Sequence, residues 1–188
     1  AAGGAALRTL QLEGDLRDVI VQGSQLLVSR FRSAELLTLD ASGKIVGRVK
    51  PKTITSAQSP GPMGNPMGPA TAEPAVAWQV RPLPDGKVVM LYERGTTGAV
   101  DTTRPGGYGS GQCKGAGIVA GALSILGPSG EEQPGPTLPF VPYALDIAVT
   151  PDGSELTIAV PFTGLNLAGS TLVVRRTDLT PSDPCGFF

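Results

Sequence analysis

Short apolar runs broken by glycine turns recur along this chain, and in three places the pattern is nearly the same. The first copy reads Asp18-Val19-Ile20-Val21, a turn at Gly23, then Leu26-Leu27-Val28. The second and third pass through Pro84-Asp85-Gly86 and Pro151-Asp152-Gly153 before Val88-Val89-Met90-Leu91 and Leu156-Thr157-Ile158. Proline presets φ for turn entry, aspartate bonds its own backbone and glycine takes φ > 0, so each copy predicts a hairpin. The first unit continues with apolar runs at 35–40 and 45–49 around Ser42-Gly43-Lys44, which predicts a four-stranded meander. The second unit is expected over 75–80, 87–93 and 117–126, with an insertion at 95–116 and a turn at 127–130. The third is expected over 145–150, 155–160 and 170–177, and the prolines at 181 and 184 argue against a further strand. Residues 6–13 alternate at Leu10 and Leu12 and predict an edge strand. Pro/Gly/Met-rich residues 51–74 have no period and read as a long loop.

A hairpin repeated in this way points to an all-β fold built of β-propeller blades, about three four-stranded units. The expected organisation is an edge strand plus blade 1 over 6–50, the loop 51–74, blade 2 over 75–142 and an incomplete blade 3 with a tail over 143–188. Propellers typically close with about four to eight blades, so three need company. Either the chain is part of a larger propeller, which is the favoured reading, or two copies join head to tail. In the second case residues 6–13 would supply the fourth strand missing from blade 3 of a neighbour. The expected partner is therefore another protein chain or a second copy.

Composition narrows the function. Of 188 residues 40% are hydrophobic but only 5% aromatic, and 26 glycines and 18 prolines suit short strands and long loops. The formal charge is −1 with scattered Lys and Arg, so no basic stripe exists for nucleic acid. Histidine is absent, which excludes Ser-His-Asp and Cys-His catalysis within the chain. No apolar run is long enough to span a membrane as a helix. The start, Ala1-Ala2-Gly3-Gly4, reads either as a mature terminus after signal-peptide removal or simply as a boundary.

Cys113 and Cys185 lie in Gly/Pro-rich loops, and we expect a disulfide between them, in keeping with a periplasmic or extracellular protein. Such a bond would stabilise by roughly 4 kcal/mol in the chain-entropy model.

The segments Asp146-Ile147-Ala148-Val149-Thr150-Pro151-Asp152-Gly153 and Leu36-Leu37-Thr38-Leu39-Asp40-Ala41-Ser42-Gly43 resemble blades of bacterial propellers of the YVTN/NHL-like kind. The combination of Arg81-Pro82-Leu83-Pro84-Asp85-Gly86 with the inserted Gly106-Gly107-Tyr108-Gly109 and a cysteine is similar to something narrower. It resembles exported proteins that join such a propeller to a c-type cytochrome domain of the di-haem peroxidase type. The chain departs from that pattern, because it holds no Cys-x-x-Cys-His segment; any haem module would sit on another chain or domain.

Other motifs carry less. The glycine-rich 104–117 stretch lacks the Gly-Lys-Ser/Thr of a phosphate loop. Asp85, Asp101, Asp146 and Asp152 lack the dense spacing of a calcium loop, and the two thioethers Met63 and Met67 lack companion ligands. No catalytic, cofactor-binding or metal-binding residue is assigned. Asp18 and Asp146 occupy equivalent places beside the innermost strands, where a carboxylate can accept backbone N–H bonds between blades. Arg30 and Arg32, and Tyr92 and Arg94, end corresponding strands, and with Tyr108 they form the expected protein-binding face. The favoured function is a non-enzymatic protein-binding scaffold. The alternative is the propeller part of a redox or hydrolytic enzyme whose catalytic groups lie elsewhere.

Overall fold

The computed structural model describes residues 3–6, 8–56, 59–60, 66–67, 70–97, 119–138, 141, 144–162 and 168–179. The regular structure there is antiparallel β-sheet, with one 3-10 turn at Arg176–Asp178. The first sheet is the meander β1 (Leu16–Gln22), β2 (Gln25–Arg30), β3 (Glu35–Leu39) and β4 (Ile45–Val49), in that spatial order. Next come β5 (Ile54–Ser56) and the short pair β6 (Ser59–Pro60) and β7 (Pro66–Met67). The middle sheet then takes β8 (Ala70–Pro82), β9 (Val88–Thr96), β10 (Val119–Leu126) and β11 (Glu132–Leu138), in the order β11-β10-β9-β8-β5. A third sheet is β12 (Asp146–Val149), β13 (Glu155–Phe162) and β14 (Ala168–Arg175).

The three sheets stack face to face. Along β9 the residues alternate between two cores. Val88, Met90 and Tyr92 join Leu27, Leu36 and Val49 of the first sheet, while Val89 and Leu91 join Ile147, Leu156, Ile158 and Val160 of the third. A strand covered on both faces has no need of polar positions, hence the unbroken Val-Val-Met-Leu run. The Pro-Asp-Gly turns bring the middle and third sheets together as well. Gly153 takes φ +72, and a Cβ there would meet Pro84 Cδ at 2.7 Å.

Two expectations change. Residues 8–15 form no strand; Leu12 packs with Val28, Leu37 and Leu39 on the outer face of the first sheet, and Arg8 donates to the carbonyls of Ala41 and Ser42. Alternation requires only one apolar side, and lying across a sheet face satisfies it without ladder pairing. Within this chain, residues 8–15 therefore add no strand to any of the sheets.

The 51–74 stretch is also not all loop. Ile54–Ser56 pairs with Ala70–Ala72, and Ser59–Pro60 with Pro66–Met67, so its flanks close an arm on the middle sheet. The β-branched residues Ile54, Thr55 and Thr71 at its base suit strand geometry despite the prolines between. Pro134 and Pro136 are tolerated because β11 is an edge strand.

Candidate functional site

β8 of the middle sheet lies between β1 and β12, the first strands of the other two sheets. Asp18 bridges the first pair: its Oδ2 accepts the Val80 N–H at 2.9 Å, and its own N–H donates to Ser29 Oγ at 3.0 Å. Asp146, expected to act alike, pairs across the second junction with the Arg81 guanidinium at 2.9 Å and accepts its neighbour's Ile147 N–H. Asp85 and Asp152 are turn residues. Asp85 pairs with Arg176, and Asp152 accepts the Thr150 hydroxyl and the Ser154 N–H and hydroxyl, which hold its carboxyl down at about 2.

At one end of β1 a groove of about 780 Å³ opens between residues 14–17 and 30–33. Asp15, at φ 62, clips its two rims together. Its Oδ1 accepts Arg30 Nε and Nη2 at 3.2 and 3.1 Å, its Oδ2 accepts the Arg32 N–H at 2.7 Å, and its carbonyl accepts the Phe31 N–H at 2.6 Å. A non-glycine residue in the left-handed region costs roughly 1–3 kcal/mol unless its surroundings hold it, and these four bonds do so.

Glu13 and Glu35 take Arg30 Nη1 at 2.7 and 2.9 Å and share Arg48. The Arg48 hydrogen bond holds the Glu13 carboxyl below its usual value, while Glu35 raises Arg30 and Glu13 raises Arg48. The three carboxylates and two guanidiniums thus satisfy one another. Arg17 donates through Nε to the Trp78 carbonyl at 3.3 Å and lies 5.5 Å from the Phe31 ring centroid, and that ring meets Trp78 edge-on at 5.5 Å.

Of the expected protein-binding residues, Arg30 and Arg32 line this groove. Tyr92 and Arg94 do not reach a surface: their exposures are 0% and 1%. β9 is covered on both sides from Val88 to Arg94, so these two residues are buried with the rest of that run. Arg94 donates through Nε at 2.8 Å, and through Nη2, to the Tyr92 oxygen; that oxygen lies 3.1 Å from Ser124 Oγ, which reaches Glu132 at 3.2 Å. Arg94 Nη1 has no hydrogen-bond partner among the described residues, and burial pushes the Tyr92 phenol up. Tyr108, Cys113 and Cys185 lie outside the described residues.

Sequence reasoning passed over Glu13, Asp15, Arg17 and Trp78. Their roles arise from contacts across up to 61 positions of sequence, and no local pattern announces them. Trp78 also donates to Glu93 Oε1 at 2.8 Å, and burial raises that carboxyl above its ordinary value.

Ser33 Oγ, beside this groove, has no hydrogen-bond partner among the described residues. No helix among the described residues is long and apolar enough to cross a membrane. In comparisons with known proteins, no family model, no curated protein and no solved structure matches this chain.

Proposed function

We propose that this chain supplies blades of a β-propeller of the YVTN/NHL-like kind to a non-enzymatic, protein-binding scaffold of an exported bacterial protein. Another chain or a second copy completes it. The observation that carries this reading is the way the sheets stack. Neighbours pack face to face, β1 and β12 flank β8 and are joined to it by Asp18 and Asp146, and apolar residues remain on the end faces. On the first sheet Val19 and Val21 are 62% and 75% exposed, and on the third Val173 is 57% exposed. A stack with apolar ends calls for further sheets on them.

Native mass spectrometry of the protein isolated from its natural source tests this. We expect a mass above that of a lone three-sheet unit, and Val21→Asp to weaken the association while leaving the melting of the 188-residue chain nearly unchanged. A monomer of this chain alone in the native source contradicts it.

A further inference from the structure

We propose that residues 8–13 are a displaceable strap, which occupies the outer face of the first sheet until the third sheet of a second copy takes its place. The inference rests on the stacking reading above and names both the partner and what holds it off.

The face under the strap is wider than the strap. Two cross-strand rows run over its four strands, Val19–Val28–Leu37–Arg48 and Val21–Leu26–Leu39–Ile45. Neighbouring strands lie about 4.8 Å apart, so each row spans roughly 15 Å, a breadth that a packed sheet covers and one extended chain does not. Burial follows this mismatch. Val28, Leu37 and Leu39, in the middle and packed with Leu12, are buried, whereas Val19 and Val21 at one end stay open. A crevice of about 400 Å³, lined by Arg8, Leu10, Val21 and Leu26, remains beside the strap.

The strap is also weakly held. Leu12 alone of the described strap residues joins the apolar cluster beneath it. Its ends are fixed by exposed polar contacts, Arg8 with the Ala41 and Ser42 carbonyls and Glu13 with Arg30 and Arg48. Such contacts contribute little and weaken with salt. Among the described residues no backbone–backbone hydrogen bond involves residues 8–13. When Glu13 leaves, Arg30 keeps Asp15 and Glu35 and Arg48 keeps Glu35, so no charge is orphaned. The hinge is Gly14, where an added Cβ would meet nothing within 4 Å. Asp15 beyond it is fixed to Arg30, Phe31 and Arg32, so the strap swings without pulling on β1.

The third sheet of a second copy suits the vacated face. Its outer side carries the rows Ala148–Thr157–Val173 and Asp146–Ala159–Thr171, small side chains of which Ala148, Ala159, Thr171 and Val173 are exposed. Asp146, the acid in these rows, is already paired with Arg81. The first and third sheets are opposite ends of one stack, so head-to-tail copies meet third sheet to first, as sheet follows sheet within the chain.

Sedimentation velocity of the 188-residue chain and of two strap variants tests this. Leu12→Ser/Glu13→Gln should associate roughly tenfold more tightly than the unaltered chain. Arg8→Met/Glu13→Gln, which cuts only exposed anchors, should gain roughly threefold, and it decides the matter should the first variant fail to fold. Adding Val173→Asp to either should undo the gain, because it places a charge on the incoming face.

Association no tighter than that of the unaltered chain overturns the strap. Association that Val173→Asp leaves unchanged overturns the third sheet of a second copy as the occupant. Failure here is separable from failure of the stacking reading, which is read from the mass of the natural protein. A natural assembly with inert strap variants leaves stacking intact and removes the strap.

Discussion

Buried polar groups set the sharpest expectations at the scale of single residues. Tyr92 holds two donors of the buried Arg94, so Tyr92→Phe leaves them unpaired and should destabilise by about 1–3 kcal/mol in urea melts. Glu93 is different, because burial raises its carboxyl above the ordinary 4.5. An acid with a raised folded value contributes fully below its unfolded value, and that contribution is lost as pH rises through the folded one. Glu93→Gln keeps an acceptor for the Trp78 indole and removes the buried charge. It should therefore flatten the fall in stability with pH above about 4.5, with little loss at neutral pH, whereas Glu93→Ala loses about 1–3 kcal/mol there. Asp152 has the opposite sign. Held at about 2 against an ordinary 3.8, it stabilises above the unfolded value, and the contribution disappears as pH falls through about 2. Asp152→Asn should remove that part of the acid limb in melts between pH 4 and pH 2.

Among the elements, the inter-sheet bond of Asp18 is the most exposed to test. Asp18→Ala leaves the Val80 N–H without its acceptor and should cost about 1–3 kcal/mol. Asp146→Ala, removing a half-exposed pair with Arg81, should cost no more than about 1 kcal/mol. The hairpins were legible in the sequence because their information is local: a turn residue with φ > 0 between apolar runs needs nothing distant. Gly23, Gly86 and Gly153 take φ +58, +82 and +72, as the turn chemistry requires. Residues 8–15 and the arm of β5 to β7 were not legible, since what decides them is which sheet face or strand is open to receive them. Arg30 and Arg32 could be placed at a strand end by counting along β2. Tyr92 and Arg94 could be counted the same way, yet they are buried, because a single strand does not announce how many of its faces are covered. The groove itself was invisible, because it needs Asp15 to join the start of β1 to the end of β2 and, across the sheets, the Trp78 carbonyl to hold Arg17.

For the whole molecule, the three sheets form one stack, and the proposed function puts further sheets on its two outer faces. The middle sheet has cores on both faces, whereas the first and third each turn one face outward, and apolar side chains remain exposed on those faces. The measurement that tests this most directly is carbene footprinting of Val19, Val21 and Val173, compared between the 188-residue chain and the protein as purified from its natural source. The account predicts strong labelling of all three in the isolated chain and protection of both faces in the natural protein. Equal labelling in the two samples would mean that nothing stacks on these faces, and the account of an unfinished stack would be contradicted.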